Sequence, residues 1–245
     1  MKPKIILLTL LICLLLSCGK APDKIKKIVS GKPATDVLVL IDATASSKKF
    51  INDYQEGLKQ LVEALPGKTK LSIGWINDNT EASFQPVLQV MLPGFNFMKD
   101  SELDVQDARK SIVDSVKTSL SNSLSSMKPV SSTDILSSFR LAQTYLNELN
   151  NKRFLYIFSD MQQNGDPTLG MIDDLSAKQI EEKIQLLKEN SKLPDLTGIT
   201  VCVIGAYNEN NQAYIAYQDF WQKVINASGA KLAYYGHAYK AIDFK

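Results

Sequence analysis

The chain has 245 residues, with 28 Lys and Arg against 26 Asp and Glu, a formal charge of +2. Hydrophobic residues make up 44% and charged residues 22%, which excludes collagen-like, low-complexity and intrinsically disordered classes. A balance this close to neutral gives no reason to expect a nucleic-acid partner, whose binders carry a clear basic excess.

In chain order, Lys2 and Lys4 precede an apolar run from Ile5 to Leu16, followed by Ser17 and Cys18. Those twelve residues would span about 18 Å as a helix, short of a hydrocarbon core of about 30 Å. A basic start, a short apolar stretch and small residues after it read as a secretory signal over residues 1–17. Leu15-Leu16-Ser17-Cys18-Gly19 also resembles the bacterial lipoprotein processing box. That resemblance implies cleavage before Cys18 and diacylglycerol on its thiol, with a palmitate-type acyl chain on the new N terminus in many bacteria. The expected location is the cell envelope, lipid-anchored to a membrane. Gly19 lacks the Asp tied to inner-membrane retention in enteric bacteria, which favours the outer membrane in a Gram-negative host.

Cysteine accounting follows. Cys13 leaves with the signal, Cys18 is lipidated and Cys202 remains, so no internal disulfide is expected in the mature chain. Cys202 lies in the apolar run Ile199 to Ile204 and reads as a small buried hydrophobe. Residues 18–35 read as the lipidated cysteine and a flexible tether, with Lys20, Lys24, Lys26, Lys27 and Lys32 against Asp23. Subtracting signal and tether leaves 21 basic and 25 acidic residues, a basic leash carrying a head of net charge −4.

Residues 36–245 alternate strand and helix patterns. The continuous apolar run over 36–41 predicts a strand covered on both faces, 154–158 reads as another buried strand, and further strands are expected over 71–76, 197–206 and 232–235. A further strand is expected over 84–92, with Pro86 confining its start to an edge. Helical spacing appears from Phe50 through Tyr54, Leu58, Leu61, Val62 and Leu65, stopped by Pro66-Gly67. Other helices are expected over 104–127 (stripe Ala108, Ile112, Val116, Leu120), 134–149, 177–190 and 212–227. The aromatic stripe of the last one, Tyr214, Tyr217, Phe220 and Trp221, reads as core packing. The expected fold is a single α/β domain, doubly wound, with a mostly parallel sheet flanked by helices.

Ligands of open α/β sheets gather at the carboxyl ends of the strands. There the first strand ends in Asp42-Ala43-Thr44-Ala45-Ser46, the fourth in Ser159-Asp160, and Ser131-Ser132-Thr133-Asp134 opens the helix between them. Hydroxyls and carboxylates are hard oxygen donors suited to Mg²⁺, Mn²⁺ or Ca²⁺, with no His or Cys among them to favour zinc. Plainer roles exist for each residue: Ser46 or Thr133 would serve as helix caps.

On these residues the chain resembles the von Willebrand factor A-like (vWA) family. Its metal-ion-dependent adhesion site (MIDAS) combines Asp-x-Ser-x-Ser after the first strand, a middle-loop Thr and an Asp after the fourth strand. The resemblance implies a divalent cation, usually Mg²⁺, held by Asp42, Thr44, Ser46, Thr133 and Asp160. It implies a partner, a protein or other acidic ligand, whose carboxylate completes the coordination. The chain departs from the pattern at Thr44, where serine is usual, and at Ser131, Ser132 and Met161, where glycines are common.

Binding rather than catalysis is the expected role. A magnesium-dependent phosphohydrolase with Asp42 as nucleophile is the enzymatic alternative, but Thr44 stands where such enzymes carry a second Asp. A metal-free structural component of an envelope complex is the third reading. Asp160, Asn164, Asp166, Asp173 and Asp174 decorate one loop with oxygen donors for calcium, but their spacing does not follow an EF-hand and the cluster reads as a solvated loop. His237 is expected to be structural or exposed.

Overall fold

The computed structural model describes residues 34–42, 44, 46–77, 80–94, 101–126, 132–164, 169, 172 and 175–244. Six strands, β1 (Thr35–Asp42), β2 (Thr69–Ile76), β3 (Leu88–Met91), β4 (Lys152–Phe158), β5 (Ile199–Ile204) and β6 (Lys231–Gly236), form one sheet in the order β3-β2-β1-β4-β5-β6. All neighbours pair in parallel except β3, which runs antiparallel to β2 at the edge. The helices are α1 (Ile51–Ala64), α2 (Thr80–Ser83), α3 (Glu102–Ser126), α4 (Ile135–Tyr145), α5 (Ala177–Glu189) and α6 (Asn211–Ala227).

β1 is buried along its whole length. Its alternate side chains point to opposite faces, as the two-residue period of a strand requires. Leu38 and Leu40 join one core with residues of α4, α5 and α6, while Val37, Val39 and Ile41 join a second core with residues of α1 and α3. Helices therefore cover both faces, and the doubly wound α/β architecture expected from the sequence is the one observed. The stripes on α3 (Ala108, Ile112, Val116, Leu120) and α6 (Phe220, Trp221, Val224) are buried as their spacing predicts. Tyr214 and Tyr217 lie half-buried against the first core.

Two local expectations shift. The edge strand is shorter than 84–92, occupying Leu88–Met91. Pro86 cannot donate to a ladder, and Phe84 instead turns its ring toward Tyr145, 5.3 Å between centroids. α4 stops at Tyr145 rather than 149. Arg153 donates to the Leu146 carbonyl at 3.1 Å, the chain turns through Glu148, and Leu149 is left 80% exposed with no core to enter. After β6 the chain carries on as a strap without regular structure. Tyr239, Ile242 and Phe244 pack against the second core, with the Phe244 ring 5.0 Å from Phe154.

Cys202 is 1% exposed in β5, and burial pushes its thiol up to about 12. A thiol so placed is not a nucleophile at neutral pH. His237 is exposed, with its ring 5.4 Å from Phe50 and 5.8 Å from Tyr207.

The burial contrast is measurable. Leu38→Ala, at the centre of the sheet, should cost about 3 kcal/mol in denaturant unfolding, whereas Leu149→Ala should stay within about 0.5 kcal/mol. Equal effects would contradict the placement of the two side chains.

Candidate metal site

The chain leaves β1 toward β2 and β3 on one side and returns to β4 on the other, so a crevice opens at the carboxyl ends of β1 and β4. Asp42, the last residue of β1, is 0% exposed. A carboxylate taken out of water needs donors, and two are present. The Thr44 N–H donates to Asp42 Oδ1 at 2.9 Å, bending the first loop into an Asx-type turn. The Ser159 hydroxyl donates to Asp42 Oδ2 at 2.7 Å, tying the end of β4 to the end of β1.

Ser159 Oγ also accepts the Met161 N–H at 2.9 Å. Met161 has φ +65°, a left-handed conformation that costs a side-chain-bearing residue free energy. The cost is met by anchoring: the side chain is fully buried, and the Trp221 indole N–H donates to the Met161 carbonyl at 2.9 Å. Glycine is the residue the sequence resemblance expects at this position, and methionine takes the left-handed conformation here.

The middle loop is held to the loop after β4 by reciprocal bonds. The Thr133 N–H donates to Asn164 Oδ1 at 2.6 Å, and the Asn164 N–H to the Thr133 carbonyl at 3.2 Å. Gln163 Oε1 accepts from Ile135 and Leu136 N–H, at 2.6 and 3.2 Å. The capping role falls to Asp134, whose Oδ1 accepts from the Ser137 N–H at 3.0 Å. Thr133 is thereby free of that duty. Ser46 is free as well, because Phe50 occupies the N-cap of α1 without a side-chain cap bond.

The released hydroxyls meet each other. Thr133 Oγ1 donates to Thr44 Oγ1 at 3.2 Å, and Thr44 Oγ1 lies 3.3 Å from Ser46 Oγ. Thr133 and Thr44 are 2% and 4% exposed, while Ser46 opens to solvent. Asp160, 3% exposed, completes the group with its Oδ1 accepting from the Gln162 N–H at 3.0 Å. Burial, with Asp42 adding to it, raises the Asp160 carboxyl to about 6; the Gln162 N–H, Ser46 and Lys49 pull the other way.

Every expected site residue that could serve as a ligand is thus at one edge, and the donor set suits a hard cation. Among the described residues no three His, Cys, Asp or Glu side chains cluster where they could hold a metal. A cation here would depend on hydroxyl oxygens in addition to the two carboxylates. Gln163 was not singled out from sequence, and Ser159 and Asn164 were named there without these bonding roles, since side-chain bonds across loops leave no periodic signal. Asn164 is exposed; Asp166, Asp173, Asp174, Ser131, Cys13 and Cys18 lie outside the described residues.

No protein-family model matches this chain, and no curated protein sequence does either. Among solved structures it is similar to the pilus adhesin SpaC from Lactobacillus rhamnosus GG, with 11% identity, 84% of this chain and 28% of that one covered, and a TM-score of 0.44. It is also similar to a von Willebrand factor type A protein from Catenulispora acidiphila (10% identity, 83% and 39% covered, TM-score 0.43). A third is the conserved hypothetical protein BatB from Bacteroides thetaiotaomicron (11% identity, 83% and 91% covered, TM-score 0.45). The chain spans less than half the length of the first two. All three superpose loosely, so the fold assignment rests on the sheet order and the site on its own geometry.

The raised Asp160 carboxyl has a consequence for stability. The folded chain holds that proton more tightly than the unfolded chain, so stability falls as pH rises from about 4 to about 6. In buffer free of divalent ions, Asp160→Asn should stabilise the protein at pH 7.5 by about 2 kcal/mol, a gain that disappears near pH 4. A gain independent of pH would remove the assignment.

Proposed function

We propose that this chain is a lipid-anchored binding protein of the bacterial envelope with a vWA-like domain. It captures a protein or other acidic ligand through a divalent cation, with Mg²⁺ favoured and Mn²⁺ or Ca²⁺ as alternatives. One observation carries this reading: the hydroxyls of Thr44, Ser46 and Thr133 and the carboxylates of Asp42 and Asp160 converge on one sheet edge, with Ser46 at its opening. A divalent ion facing two carboxylates is left with open coordination that a partner's carboxylate can fill.

The division of labour follows from the bonds already made. Both Asp42 oxygens accept hydrogen bonds, so this residue orients the first loop and acts at longer range. Asp160 and the three hydroxyls would hold the cation, which supplies the positive charge for an acidic ligand.

Calorimetry of the full chain in detergent should show Mg²⁺ and Mn²⁺ binding that Asp160→Ala weakens at least about tenfold. No binding and no thermal shift with either ion would overturn the metal reading and leave the metal-free envelope component. For the anchor, labelled palmitate should enter the wild-type protein, and Cys18→Ala should lose the label and leave the membrane fraction. A variant that stays membrane-bound would end the lipoprotein assignment.

A further inference from the structure

Beside the carboxylate pair are two hydroxyls that the site described above does not use. Ser47 is 0% exposed and Tyr54 is 1% exposed, and neither hydroxyl has a hydrogen-bond partner among the described residues. The two are close enough for Ser47 to ease ionisation of the phenol, yet they do not meet in hydrogen-bond geometry. Leaving a buried hydroxyl unpaired is unfavourable, and here two neighbours are left so.

The position of Tyr54 is enforced. Its ring packs edge-on against Phe158 at the end of β4, with centroids 5.8 Å apart. On the other side it presses against Gly205, just past β5, where an added Cβ would sit 2.8 Å from the phenolic oxygen. Gly205 has φ +89°, so both its backbone and the tyrosine need glycine there. The hydroxyl is therefore held among the ends of β1, β4 and β5. Burial first, then the charges of Asp160, Asp42 and Asp53, push the phenol well above its ordinary value, so it stays protonated with its oxygen unpartnered.

We propose that Tyr54 and Ser47 are positioning residues of the metal site, their hydroxyl oxygens reserved to accept hydrogen bonds from water carried by the cation. The inference rests on the metal reading above. Small divalent ions keep several waters when bound through one or two carboxylates, and outer partners of this kind change metal affinity by about 10–100-fold.

Mn²⁺ titration followed by electron paramagnetic resonance tests this on the full chain in detergent. Tyr54→Phe and Ser47→Ala should each weaken Mn²⁺ binding about tenfold. Their melting temperatures without metal should stay level or rise, because each removes an unpaired buried hydroxyl. If Tyr54→Phe lowers the metal-free melting temperature, the smaller change Ser47→Ala decides. Wild-type Mn²⁺ affinity in both variants overturns the inference while leaving the metal reading intact. No Mn²⁺ binding by the wild type overturns both.

Discussion

A single buried carboxylate organises the sheet edge at the carboxyl ends of β1 and β4. Asp42 closes a strand covered on both faces, and a charge in that position has to find donors within the protein. One donor is the Thr44 N–H, which bends the loop after β1. The other is the Ser159 hydroxyl, which joins β1 to β4. Because Ser159 also accepts from Met161, satisfying Asp42 helps set the left-handed turn that presents Asp160. Trp221, from the core-facing side of α6, holds the same turn from behind.

The charges at this edge are unbalanced without a cation. Asp160 is raised by burial and by Asp42, while Lys49 gives it partial relief. Lys49 is shared with other partners: its ammonium lies 5.0 Å from the ring centres of both Phe50 and Tyr207 and 3.8 Å from Glu209. The protein keeps two carboxylates and a run of hydroxyls where apolar packing would be more stable.

Much of this was legible from residue order. The apolar runs of β1, β4 and β5 are continuous because both faces are covered, and helix spacing marked the buried stripes of α1, α3 and α6. The spacing of Asp42, Thr44 and Ser46, with Thr133 and Asp160, also identified the donor types. Less legible were Ser159, Gln163, Asn164 and the Tyr54–Gly205 contact, which depend on loops and strands far apart in sequence. The short edge strand and early end of α4 escaped because each is decided by one neighbour, Tyr145 for Phe84 and Arg153 for the Leu146 carbonyl. The strap after β6 has no period to read; packing alone places Phe244 on Phe154.

Sequence by itself determined the layer architecture, since hydrophobic periodicity is a local property that dictates which faces must be buried. It also determined the inventory of oxygen donors and the contrast in charge between residues 18–35, which are basic, and residues 36–245, with a net charge of −4. Tertiary structure alone decided which hydroxyls were free. Ser46 and Thr133 had plausible work as helix caps until Phe50 and Asp134 took those positions. Tyr54 had plausible work as core until Gly205 and Phe158 fixed its hydroxyl among the strand ends. A side chain's chemical type is written in the chain; whether that chemistry is already satisfied depends on its neighbours in space.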